Sequence, residues 1–201
     1  MEKMNQQEVW DKIAPSWNNF RNQPIEELKK LSWKEGKILD LGCGNCRNLL
    51  QFKNLKCYGI DFSKEMLREA KKFSQKHKFK VILKQAEITK IPFKENTFDY
   101  ILAIATLHHL KNPEKAIKEI RKTLKPEGEA FITVWNKLQL KFILKKQETY
   151  IPWNKKNETL QRYYNFISYF QLKKIIKKYN FKILKSKFIG KNIIFLIKKA
   201  N

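Results

Sequence analysis

The spacing of apolar residues changes several times along the chain, and each change marks an element. Val9, Ile13 and Trp17 recur every four residues, with Trp10 beside them, which predicts an amphipathic helix. Pro15 and Pro24 interrupt the pattern, so residues 1–34 are expected to form a pair of short helices. Lys37 to Leu41 is an apolar run of strand length, and a helix is expected from about Asn45 to Phe52. Cys57-Tyr58-Gly59-Ile60 reads as a second strand. Ser63 can cap a helix reaching about Lys76, with Met66, Leu67 and Ala70 as its inner stripe. Lys80 to Lys84 and Asn96 to Ala103 hold the third and fourth strands. Asn112-Pro113-Glu114 starts a helix with proline in its first turn, and Ala116, Ile117, Ile120 and Leu124 form its apolar face. Pro126-Glu127-Gly128 ends it, and Ala130 to Val134 is a fifth strand.

This alternation predicts an α/β fold: a parallel sheet covered on both faces, with right-handed crossovers. Residues 136–166 break the rhythm. They are polar and aromatic, lack a clear period, and are expected to be an insertion at the sheet's edge. A lysine-rich helix follows from about Ser168 to Tyr179, with Leu172, Ile175 and Ile176 inward. Phe181 to Lys187 and Asn192 to Ile197, joined by a turn at Gly190, read as an antiparallel hairpin that closes the sheet. No internal repeat is visible.

Composition narrows the classes. The 201 residues are 42% hydrophobic and 13% aromatic, enough for one well-packed domain and unlike a disordered chain. The opening MEKMNQQEVWDK has no signal-peptide core, and the longest apolar runs are far shorter than a bilayer, so a soluble cytoplasmic protein is expected. Lysine and arginine total 43 against 19 acidic residues, a formal charge of +24. That field attracts polyanions, nucleic acid above all. Only five of the 43 are arginine, however, a bias that compositional drift also produces.

The stretch Ile38-Leu39-Asp40-Leu41-Gly42-Cys43-Gly44-Asn45-Cys46 offers two chemistries. One is a C-x-x-C pair. With three cysteines (Cys43, Cys46, Cys57), no second C-x-x-C and only His77, His108 and His109, neither a disulfide framework nor a four-ligand zinc site is expected, and no metal is assigned. The other is a glycine turn at the carboxyl end of a parallel strand, where open sheets bind ligands. Asp61 ends the next strand, where a carboxylate can accept both hydroxyls of a ribose, so an adenosine-type cofactor is expected. Arg47 stands where a dinucleotide motif has its third glycine, and a phosphate-binding Lys-Ser/Thr ending is absent.

Asp40-Leu41-Gly42-Cys43-Gly44-Asn45-Cys46 resembles the D-x-G-x-G-x-G motif of class I S-adenosylmethionine-dependent methyltransferases, with Cys46 in place of the last glycine. Further landmarks follow in that family's order: Ala86-Glu87-Ile88 before Ile91-Pro92-Phe93, Phe98-Asp99-Tyr100-Ile101-Leu102-Ala103, Leu107-His108-His109-Leu110, and Leu124-Lys125-Pro126-Glu127-Gly128-Glu129, whose Glu127 replaces a usual glycine. The resemblance implies a Rossmann-like, seven-stranded, mostly parallel sheet with an antiparallel C-terminal hairpin, and S-adenosyl-L-methionine as cofactor. Gly42, Cys43, Gly44, Asp61, Phe62 and Ala103 would bind it, Asp40 would lie near its amino end, and Ala86, Glu87 and Ile88 would flank the adenine.

Three further stretches are similar to the tRNA wobble-uridine carboxymethyl methyltransferases. They are Ile13-Ala14-Pro15-Ser16-Trp17-Asn18-Asn19-Phe20-Arg21, Thr133-Val134-Trp135-Asn136, and Ile151-Pro152-Trp153 with Arg162-Tyr163-Tyr164-Asn165-Phe166. This implies methyl transfer to the carboxylate of 5-carboxymethyluridine at tRNA position 34. Residues 1–34 would act as a helical lid and 136–166 as the substrate side of a single domain. Arg21 and Arg162 are candidates to orient the carboxylate, His108 or His109 to donate a hydrogen bond, and Tyr163, Tyr164 and Trp135 to enclose an extruded base. The partners implied are the tRNA anticodon arm and a small zinc-binding activator subunit at the edge strand Phe79–Leu83, with no membrane. Two other readings remain: a small-molecule methyltransferase of the quinone type, and an RNA-binding protein that has lost its cofactor.

Overall fold

The computed structural model describes residues 4–155, 158–188 and 190–200. Asn5 caps the first helix, its side chain accepting the Gln7 N–H at 3.1 Å. That helix, α1 (Gln6–Trp17), runs through Pro15. The break expected there does not occur. Proline removes one main-chain bond from the last turn, but Val9, Ile13 and Ala14 are fully packed and hold the turn in place. Beyond Pro24 the second element is only a 3-10 turn, Glu26–Lys30.

Strand β1 (Lys37–Leu41) leads through a 3-10 turn, Arg47–Phe52, into β2 (Lys56–Asp61). The regular helix expected over 45–52 is this tighter turn. Helix α2 (Lys64–Lys76) starts at Ser63, whose hydroxyl accepts the Met66 N–H, and β3 (Val81–Gln85) follows. Strand β4 (Phe98–Ile104) lies on the other side of β1, so the strand order reverses between them. Asn112 caps α3 (Pro113–Thr123), and β5 (Leu124–Trp135) begins at once, six residues before the expected Ala130, with an irregularity in its pairing between Phe98 and Tyr100. Residues 136–166 contain β6 (Glu148–Asn154) and β7 (Thr159–Asn165), a separate antiparallel pair rather than an aperiodic insertion. A capping box of Ser168 and Gln171 starts α4 (Tyr169–Lys178). Strands β8 (Phe181–Lys187) and β9 (Asn192–Lys199) complete the main sheet.

The seven-stranded sheet has the order β3-β2-β1-β4-β5-β9-β8, parallel as far as β5, with β9 antiparallel to both its neighbours. Alternate residues feed two cores. Leu39, Ile101, Ala103, Ala130 and Ile132 pack beneath α3 and α4. Ile38, Leu102 and Phe131 pack against α2 and the two 3-10 turns. Both sheet faces are therefore covered, as the Rossmann-like expectation requires. A third cluster joins Val9, Trp10, Ile13 and Ala14 of α1 to Met66 and Leu160, which brings α1 and the second sheet together over the carboxyl ends of the central strands.

Candidate active site

The strand-order reversal between β1 and β4 opens a cavity of about 530 Å³, within the range of small-molecule sites. Its floor is the glycine turn. Gly42 and Gly44 have φ of 63° and 52°, a region glycine enters without penalty. A Cβ on Gly42 would also lie 2.5 Å from Thr106 Cγ2. Thr106 is held there because its hydroxyl donates to the Leu41 carbonyl at 3.0 Å. The Cys43 N–H donates to the Ile60 carbonyl (2.9 Å) and the Gly44 N–H to Asp61 Oδ2 (2.9 Å), tying the turn to the end of β2. Asp61 Oδ1 accepts the Ser63 N–H at 3.0 Å. Burial pushes the Asp61 carboxyl up to about 6, against the pull of these two N–H groups.

Asp40 lies behind the turn rather than on the cavity wall. It is buried and its Oδ2 has no partner. Burial drives this carboxyl up to about 8, opposed by the charge of Arg47. Cys43, Cys46 and Cys57 are buried free thiols. Hydrogen bonding with Cys46, and burial, hold Cys43 well above the ordinary thiol range, so the pair offers no thiolate. Among the described residues no cluster of three or more His, Cys, Asp or Glu could hold a metal.

Helix α1 builds one wall. Asp11 accepts from the Ser63 hydroxyl (2.6 Å) and the Glu65 N–H (3.1 Å), pinning α1 to the start of α2. Gln6 accepts the Tyr163 N–H at 2.8 Å, and Trp153 donates to Ser16 at 3.1 Å, so the second sheet docks on α1. Trp10 and Trp17 thereby reach the cavity. After the helix, Asn45 donates to the Arg21 carbonyl at 2.6 Å, holding this segment over the glycine turn. The Arg21 guanidinium sits 5.2 Å from the Trp17 ring centre.

The opposite end is aromatic. The His108 ring stacks on Tyr164, with centroids 5.1 Å apart and planes 13° off parallel. Trp135 lies 4.8 Å from Tyr164. Burial drops His108 well below the ordinary imidazole value and lowers His109 to about 4, so both are neutral at pH 7.

The cavity wall collects Arg21, Gly42, Cys43, Gly44, Asp61, Phe62, Ala86, Glu87, Ile88, His108 and His109. It does not include Asp40, Ala103, Arg162 or Tyr163. Ala103 is core; Ile104, Ala105 and Thr106 line the cavity in its place. Tyr163 points elsewhere, its hydroxyl donating to Glu148 at 2.8 Å, whereas Tyr164 reaches the wall. Arg162 is buried behind Tyr164, donating to its hydroxyl at 3.1 Å and lying 5.0 Å from the Trp153 ring centre. The sequence reading missed Trp10, Asn45 and Thr106. Only Asn45, inside the glycine motif, carried a local signal; the other two are placed by long-range packing.

A methyltransferase domain model matches residues 32–184. The chain belongs to this methyltransferase family. The match covers β1 through most of β8, and with the fold it defines a class I methyltransferase whose cofactor is S-adenosylmethionine. Among curated relatives, "Probable tRNA methyltransferase 9B" of Bos taurus is 25% identical over 161 residues, 77% of this chain but only 34% of that protein. The mouse "tRNA (carboxymethyluridine(34)-5-O)-methyltransferase ALKBH8" is 29% identical over 143 residues, 67% of this chain and 20% of that one. The chain thus spans a minor part of both. Among solved structures, a SAM-dependent methyltransferase of Methanosarcina mazei superposes with a TM-score of 0.72 at 19% identity, covering 89% of this chain and 99% of its own. The Haloferax volcanii chain solved with the Trm112 methyltransferase activator gives 0.73 at 11%, covering 100% of each. At these identities the two structures speak for the fold. Among the described residues no helix is long and apolar enough to cross a membrane.

Proposed function

We propose that this methyltransferase esterifies the carboxylate of 5-carboxymethyluridine at tRNA position 34. The observation that carries the reading is the acceptor end of the cavity. Its two histidines are neutral and very weak bases, and a cation, Arg21, stands in the same wall. A hydroxyl acceptor would need a proton removed, and two imidazoles held this far below their ordinary basicity are poorly suited to take it. A carboxylate arrives already ionised at pH 7. It needs only desolvation and aim. The names of the two tRNA-methyltransferase relatives support the same substrate class.

Bound S-adenosylmethionine supplies an electrophilic methyl group, and the cavity fits it. The glycine turn brings main chain to the wall with no side chain in the way, Asp61 offers lone pairs to a ribose diol, and Asp40 keeps an unpartnered oxygen behind the turn. Ala86, Glu87 and Ile88 would flank the adenine. Arg21 would orient the carboxylate by a two-pronged contact. Trp135 and Tyr164 would enclose the extruded base, and Arg162 would act from behind by fixing Tyr164. Lys141 and Lys191 at the cavity would hold the anticodon-arm backbone. These cations favour a polyanionic substrate over the apolar acceptor of a quinone-type enzyme. Strand β3 is a sheet edge with Ile82 51% exposed, and it is the proposed contact for a small zinc-binding activator. The activator-bound Haloferax neighbour supports that proposal.

The test is methyl transfer to anticodon arms with carboxymethylated or unmodified uridine 34, with and without such an activator, read by nucleoside mass analysis. The methyl ester is expected on the carboxymethylated arm alone. Transfer only to a lipid-like acceptor, or failure to bind S-adenosylmethionine in both conditions, would overturn the proposal.

A further inference from the structure

His108 and His109 line the same cavity with ring centroids 4.5 Å apart, yet the main chain holds them in opposite tautomers. His108 Nδ1 lies 3.3 Å from the Trp135 main-chain N–H. That group can only donate, so Nδ1 is the bare nitrogen and the proton sits on Nε2. His109 Nδ1 lies 2.9 Å from the Tyr163 carbonyl oxygen. A carbonyl can only accept, so here the proton sits on Nδ1 and Nε2 carries a lone pair. The His108 Nε2–H is buried without a partner, and His109 Nε2 has none among the described residues. The pair therefore sets one fixed donor, enclosed just behind the cavity wall, beside one fixed acceptor on the partly exposed His109.

A carboxylate cannot satisfy both. It offers only lone pairs, so it suits His108 and is repelled by His109. The imide edge of uracil offers an N3–H beside a carbonyl oxygen, one group for each ring. We propose that the His108–His109 pair reads this edge: His109 Nε2 accepts the uracil N3–H, and His108 Nε2–H donates to the adjacent carbonyl. The assignment rests on the uridine acceptor proposed above and adds to it. The histidines become specificity determinants for the base, and the carboxylate is left to Arg21. The pair is held neutral by burial, so it keeps this polarity throughout the neutral range. Pairing the buried His108 donor and the neighbouring His109 acceptor with a matching edge also supplies discrimination, because a mismatched base leaves the buried donor unsatisfied.

Two measurements test this. Long-range ¹H–¹⁵N correlation spectra of histidine-labelled protein at pH 7 read the tautomers without any substrate. Nε2–H at His108 and Nδ1–H at His109 are expected, and the same tautomer at both overturns the proposal. The second measurement is methyl transfer to two anticodon arms, one with 5-carboxymethyluridine and one with its N3-methyl derivative. The native protein should lose about tenfold or more in kcat/KM on the N3-methylated arm. His109→Ala, checked for intact folding by circular dichroism, should be slower on the unblocked arm and nearly indifferent to N3 methylation. Equal rates on both arms with native protein overturn the base-edge assignment alone. Transfer to neither arm overturns the carboxymethyluridine reading and the uracil assignment with it.

Discussion

At the residue scale, the two departures from the methyltransferase glycine pattern both fall where the backbone is left-handed. Cys46 has φ 62° and Glu127 φ 60°. The sequence showed that glycine was missing but not that the chain would adopt the glycine conformation regardless. A side chain in this region costs about 1–2 kcal/mol, and glycine's freer unfolded chain gives back about 0.4–1 of it. Glu127→Gly should therefore stabilise the protein by up to about 1.6 kcal/mol, measured by urea unfolding. Asp40 and Asp61 illustrate a different gap: their positions were legible, their burial was not. Asp40 sits near 8 folded against an ordinary value of 3.8. Between those values the folded state holds the extra proton, so stability falls as pH rises, by at most about 1.4 kcal/mol per pH unit. Asp40→Asn removes that slope, and its stability advantage over the native protein should widen from pH 5 to pH 8 and then level off. Asp61 near 6 acts on binding: if its ionised form grips the ribose, affinity for S-adenosylmethionine should fall as pH drops below about 6. Calorimetry between pH 8 and pH 5 checks this; a constant affinity would remove Asp61 from the cofactor contact.

At the element scale, legibility followed burial pattern. Strand β1 was readable because a run of apolar residues between two covered faces has few alternatives. Helix α4 was readable from its stripe and from Ser168, whose capping box is intact. Ser168→Ala should cost about 1 kcal/mol by thermal or urea unfolding, without changing cofactor affinity. The second sheet was hidden for a physical reason. In β7, Arg162, Tyr163, Tyr164 and Asn165 are buried in succession: Arg162 and Tyr164 share one face, against Trp153, His108 and Trp135, while Tyr163 and Asn165 on the other donate to Glu148 and to the Leu110 carbonyl, so no polar–apolar alternation survives. Pro152 sits within β6, and a two-stranded sheet, being all edge, admits it. The same packing put Tyr164 on the cavity wall and Tyr163 off it, a distinction that a one-residue step in a strand decides.

At the scale of the whole molecule, the mostly parallel seven-stranded sheet with its antiparallel C-terminal hairpin followed from landmarks in sequence, and its reversal beside β1 is the place where such sheets take a ligand. The acceptor end depends on α1, the β4–α3 segment and β7 meeting over that place, which no local pattern encodes. The +24 charge belongs to this scale too. If the lysines hold an anticodon arm, log affinity should fall linearly with log salt, by about 0.7 to 0.9 for each phosphate neutralised. Filter binding from 50 to 200 mM salt reads the slope, and a flat line would mark the charge as compositional. Methyl transfer as proposed requires one placement: cofactor packed on main chain at residues 42–44, its ribose diol on Asp61. A crystal structure of the protein soaked with S-adenosylmethionine tests it most directly. The account predicts both ribose hydroxyls within hydrogen-bond distance of the Asp61 carboxylate. Density for the cofactor away from these residues, or zinc held between Cys43 and Cys46, would contradict it.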